Sequence, residues 1–106
     1  MADVALTMKV TTMNLSGFKS LGYAQDTTIS AATALPTIPA GASLVLLQVT
    51  GQDVRWRDDG TDPTASIGMI LNADADPYPY SGDLSAIRFI ETAASAVLNV
   101  AYYAPR

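Results

Sequence analysis

The sequence predicts an all-β protein, a small antiparallel β-sandwich or barrel of seven or eight short strands. Three observations predict it. Several short runs alternate apolar and polar residues with the period of two that sends neighbouring side chains to opposite sheet faces. Turn signals rich in Gly, Pro, Asp and Asn separate these runs at close spacing. There is no heptad pattern and no internal repeat. At 106 residues the chain makes one domain, 1–106, with residues 1–22 available as an N-terminal arm.

Val4 to Thr12 reads as a first strand, with Val4, Leu6, Met8 and Val10 on one side of the alternation. Asn14 to Gly22 reads as a loop, because Ser16-Gly17 and Ser20-Leu21-Gly22 are turn-like. Thr27-Thr28-Ile29-Ser30 favours a strand, whereas Ala31 to Leu35 also suits a helical turn. Pro36 and Pro39 make 36–42 an extended loop. Ser43 to Thr50 is apolar on both faces and reads as a central strand covered on each side. Gly51-Gln52 then turns it into a hairpin with Asp53–Arg57, where Val54 and Trp56 alternate with Arg55 and Arg57.

Asp58-Asp59-Gly60 is turn chemistry, Pro63 keeps the chain in the connection, and Ile67 to Leu71 resumes an apolar strand. Between Asn72 and Asp83 the prolines leave room only for a short edge strand around Tyr78 to Ser81. Asp83 suits the cap of a helix through Ala94, yet Ile87, Phe89 and Ile90 favour a strand over Leu84 to Glu91. Thr92 to Ser95 is the last turn. Ala96 to Tyr103 is the closing strand, with Leu98, Val100 and Tyr102 facing one way.

Charged residues make up only 15% of the chain against 49% hydrophobic residues, low beside the roughly 25% charge of typical domains. A small domain exposes much surface, so scarce charge points to faces covered by other subunits, or to a surface of Thr, Ser, Ala and Gly. The net charge of −4, with six scattered cations, gives no basic patch for nucleic acid. No run of residues is long and apolar enough to span a membrane, and the N-terminus does not read as a signal peptide. With no Cys and no His, disulfides, thiolate sites and the commonest general base are excluded. No nucleophile has a base beside it, so the chain reads as no enzyme, with no cofactor and no metal.

Asp58, Asp59 and Asp62 are clustered oxygen ligands, but they lack the spacing and terminal Glu of an EF-hand and read as solvated turn acids. Arg55 and Arg57 share a strand face. They serve either an interface or ion pairs with Asp58, Asp59 or Asp83. Trp56 reads as core, together with Phe89, Leu98 and Val100. Arg88, on an apolar run, needs a partner such as Glu91 or an acid on another strand. Tyr78, Tyr80 and Tyr103 suit an interface rim, or a concave aromatic groove for a carbohydrate.

Val54-Arg55-Trp56-Arg57-Asp58-Asp59-Gly60-Thr61-Asp62-Pro63-Thr64, then Gly68-Met69-Ile70-Leu71, Leu84 to Ile90 and Ala96 to Tyr103, resembles small virion-associated β proteins of tailed bacteriophages. The resemblance covers about the second half, Leu44 to Tyr103, and not the first forty residues. It implies a jelly-roll-like sandwich located in the virion after synthesis in the host bacterial cytoplasm. It implies capsid decoration or cementing, or a small head–tail or tail component, and it carries over no catalytic residue. The partners expected are the chain itself, as dimer or trimer, and the major capsid protein or a neighbouring virion protein. The expected interface is Arg55, Arg57, Asp58, Asp59, Asp62, Tyr78, Tyr80 and Tyr103. The rival reading is a carbohydrate- or receptor-binding module of a phage fibre or surface protein.

Overall fold

A computed structural model describes residues 14–106. It contains eight strands: β1 (Phe18–Asp26), β2 (Thr33–Ala34), β3 (Leu44–Thr50), β4 (Val54–Arg57), β5 (Met69–Leu71), β6 (Tyr78–Tyr80), β7 (Arg88–Glu91) and β8 (Val97–Pro105). The pairing has a simple logic. β4 pairs with β5, β3 with β6, β2 with β7 and β1 with β8, all antiparallel. The chain is thus one long ribbon doubled back at the β4–β5 turn. Rolling that ribbon adds β3 beside β8 and β4 beside β7. Two four-stranded sheets result, β1-β8-β3-β6 (sheet 1) and β2-β7-β4-β5 (sheet 2), the strand order of a jelly roll.

Alternation places the core. In sheet 1, Val45, Leu47 and Val49 of β3 and Leu98, Val100 and Tyr102 of β8 point inward, each at most 2% exposed. Sheet 2 answers with Val54 and Trp56 of β4 and Phe89 of β7. Trp56, Phe89, Leu98 and Val100 all lie in this one cluster. Among the described residues no buried side-chain polar atom lacks a hydrogen-bond partner, as a dry core requires.

Four expectations change. Gly51 does not close a hairpin: it carries the chain from sheet 1 to sheet 2, so that β3 and β4 face each other across the core. Gly51 has φ +86° and lies against the Ser95 carbonyl, so a Cβ there would collide with backbone. Phe18 to Gly22 is strand rather than loop; the register slips between Ser20 and Gly22, so the Gly marks a bulge inside β1. Residues 27–30 are irregular, although Ile29 is fully buried and its carbonyl accepts the Glu91 amide at 2.9 Å. β2 instead falls at Thr33–Ala34. The strand expected over Val4–Thr12 lies outside the described residues.

The edge strand at Tyr78–Tyr80, the β4–β5 hairpin and the closing strand form as expected. Leu84 to Glu91 contains both of the competing signals. Asp83 accepts from the Ser85 amide and hydroxyl and starts a single turn, and Arg88 to Glu91 is then the strand β7.

Candidate interaction surface

The outer face of sheet 2 gathers arginines. Because Trp56 points inward, Arg55 and Arg57 point outward, and register places Arg88 of β7 directly beside Arg57. Three of the six cations of an acidic chain therefore share one small sheet face. Ile90 and Ile70 flank Arg55 on either side. Like charges placed opposite one another cost stability, so each arginine needs local partners.

Those partners are on the same face or beside it. Arg57 forms a bidentate pair with Asp59, Nε to Oδ1 at 3.0 Å and a second nitrogen to Oδ2 at 2.6 Å. The pair holds the Asp59 carboxyl below the ordinary carboxylate range and raises Arg57 in turn. Arg55 donates to the Gly68 carbonyl at 2.8 Å and more weakly to that of Ala65, pinning the loop that leads into β5. Arg88 donates to the carbonyls of Ser85 and Ile87. Among the described residues Arg88 has no acidic partner of the kind expected: Glu91 accepts the Ala96 amide instead.

Tyr80, expected on the interface, is buried. Its ring packs edge-on against Trp56, centroids 5.5 Å apart, and leans on Gly82, where a Cβ would strike the ring. Its hydroxyl donates to Asp58, and burial together with that carboxylate pushes its pKa well up. Asp58, itself exposed, thus caps the Tyr80 hydroxyl at the end of the core, and Asp62 sits exposed in the turn. Tyr78 is 41% exposed at the mouth beside Trp56.

Between the β4–β5 hairpin and this mouth lies an open cleft of about 410 Å³ with an apolar wall of Trp56, Ile67 and Met69. Arg57, Asp58 and Asp59 form its rim. Among the described residues, no three acidic side chains are grouped so as to hold a metal ion.

Tyr78, Tyr80 and Tyr103 do not form one groove. Tyr80 pairs with Val45 and faces inward, and Tyr78 shares its side of β6, whereas Tyr103 pairs with Leu44 on the opposite face of sheet 1. The concave aromatic platform that a carbohydrate reading needs from these three residues is therefore absent.

Two features escaped the sequence. One is Arg88 as a member of the arginine face, visible only once register places it beside Arg57. The other is the outer face of sheet 1, signalled by the double-sided apolar run in β3. Among the described residues the inner side of that run is covered and Leu44 is buried at its start, while Leu46, Gln48 and Thr50 on the outer side remain half-exposed.

The fold defines the class: a two-sheet antiparallel β-sandwich with jelly-roll strand order. No protein-family model, no curated protein and no solved structure matches the chain.

Proposed function

We propose that this protein is a structural component of a tailed-phage virion, a capsid decoration or cement protein that associates with itself and binds the capsid shell. The observation that carries the reading is the outer face of sheet 2. There the Arg-Trp-Arg-Asp-Asp motif of the phage resemblance becomes an arginine-bearing platform beside an apolar cleft. Arginine, an aromatic anchor and a pocket are the usual ingredients of an interface hot spot. The jelly-roll order is used by capsid proteins and by lectins alike, so the fold alone does not choose between them. What favours the capsid reading is that the tyrosines that would make a sugar platform point to opposite faces. In this reading the chain is non-catalytic, and Arg55, Arg57 and Arg88 meet acidic groups on the shell while Met69 and Ile67 fill an apolar hollow.

The test is immunogold labelling and mass spectrometry of particles made by the genome that carries this coding sequence. The reading expects the protein on intact particles in fixed stoichiometry. Particles that lack it would overturn the reading. In a reconstitution with stripped particles, Arg55→Ala/Arg57→Ala should lose binding; unchanged binding would remove the arginines from the role.

A further inference from the structure

The outward positions of sheet 1 carry no charge at all. On β1 they are Phe18, Ser20, Tyr23 and Gln25; on β8, Val97, Asn99, Ala101, Tyr103 and Pro105. On β3 they are Leu44, Leu46, Gln48 and Thr50, and on β6 Pro79. The only charged residues of these four strands, Lys19 and Asp26, lie near the ends of β1 and on the opposite parity. Tyr23 is 64% exposed, the highest value for a large hydrophobic residue among the described residues.

Several polar groups of this face bond within the chain. The Tyr23 hydroxyl and the Gln25 amide both donate to Asn99 Oδ1, at 2.5 and 3.0 Å, and Gln48 donates to the Ala75 carbonyl. Burial of polar groups costs free energy only when it leaves them unpaired. Drying this face leaves the Tyr23, Gln25 and Gln48 donors paired, and the remaining amide groups are free to bond across a two-fold contact.

We infer that the outer face of sheet 1 is a self-association surface, packed sheet on sheet against the same face of a second copy of this chain. The inference deepens the self-association in the proposed function and rests on that reading for nothing else. Charge selects the occupant. Two chains of net charge −4 repel, and a close contact between them needs a surface free of acids, which this sheet face provides. A two-fold contact places the patch on itself, and uncharged faces stack with no like charges apposed.

The area is also of the right order. Strands about 4.8 Å apart, rising about 3.3 Å per residue, give this face about 450 Å² of flat sheet. A standard interface uses about 800 Å² of accessible surface per partner, and corrugated side chains and the loop at Pro77, which borders Tyr23, Leu46 and Ala101, add to the flat area.

Light scattering on a size-exclusion column tests it, with the wild type beside Ala101→Glu and Tyr23→Glu. Ala101 sits half-buried near the middle of β8 and faces outward, so the new carboxylates of the two copies would be driven together. The expected result is a wild-type dimer and a monomeric Ala101→Glu, with dissociation constants at least ~100-fold apart. Far-UV circular dichroism and melting temperature should match the wild type, which excludes unfolding. Tyr23→Glu, at an exposed position, should weaken the dimer in the same direction.

A wild-type monomer, a trimer, or a dimer indifferent to both substitutions would overturn the inference, since an isologous sheet contact closes at two copies. A monomeric protein found on particles would defeat this inference and the self-association it deepens, and leave the virion location standing. A dimer broken by Ala101→Glu but absent from particles would defeat the phage reading alone.

Discussion

The two outer faces of this sandwich are built from the same alternation and end up chemically opposite. Sheet 1 turns outward a set of uncharged side chains whose polar atoms bond to one another, as Tyr23, Gln25 and Asn99 do. Sheet 2 turns outward Arg55, Arg57 and Arg88, each tied to a carbonyl or to Asp59. The inner faces are alike, both aliphatic and aromatic, because both serve one core. The difference teaches that the core decides which residues are inward, while the outward positions are left free to carry recognition. An uncharged face suits a copy of itself, and an arginine face suits a different, acidic partner.

The sharpest way to break the comparison is to test whether the inner faces really are equivalent. Phe89→Ala beneath sheet 2 should cost about 3–5 kcal/mol, and Leu98→Ala beneath sheet 1 about 2–5 kcal/mol, both read by denaturant unfolding. A loss confined to one sheet would mean that the two layers unfold separately. Next in size is Gly51→Ala, which puts a Cβ against the Ser95 carbonyl at a positive φ where the chain changes sheets. It should cost about 1–3 kcal/mol with no effect on either outer face.

A smaller effect concerns the seam between the sheets. The pKa of Tyr80 is raised in the folded state by burial and by Asp58. Its stabilising contribution is therefore complete below about pH 10, the ordinary tyrosine value, and is lost as pH rises above it. Tyr80→Phe should flatten the alkaline fall in stability only in part, because buried Tyr102 is raised in the same direction. A profile unchanged by Tyr80→Phe would place Tyr80 outside the core seam. Smallest of all, Arg57→Ala should leave the melting temperature unchanged, because its pair with Asp59 is solvent-exposed. The same substitution should still weaken binding to the shell.

Much of the architecture was legible because period-two alternation is a strong signal and this chain keeps it. The inward set of β8, the short proline-limited β6 and the β4–β5 hairpin all followed from it. The Gly51 connection was not legible: a turn between two alternating runs looks the same whether the second strand pairs with the first or crosses to face it. Ser20-Leu21-Gly22 misled for a related reason, since the glycine that signals a turn also signals a bulge. Of the candidate site, the shared face of Arg55 and Arg57 followed from parity alone. The place of Arg88 beside them, the burial of Tyr80 and the separation of Tyr103 from Tyr78 all depend on register between strands distant in sequence. No local pattern carries that information.

The most direct test of the division between the faces is hydroxyl-radical footprinting, read by mass spectrometry at Tyr23 and at Met69. Both side chains are well exposed in the single chain, at 64% and 59%, Tyr23 on the outer face of sheet 1 and Met69 in the cleft beside the arginine face. Raising the protein concentration should protect Tyr23 and leave Met69 reactive, and adding the shell should then protect Met69. Protection of Met69 by concentration alone, with Tyr23 reactive throughout, would contradict the account.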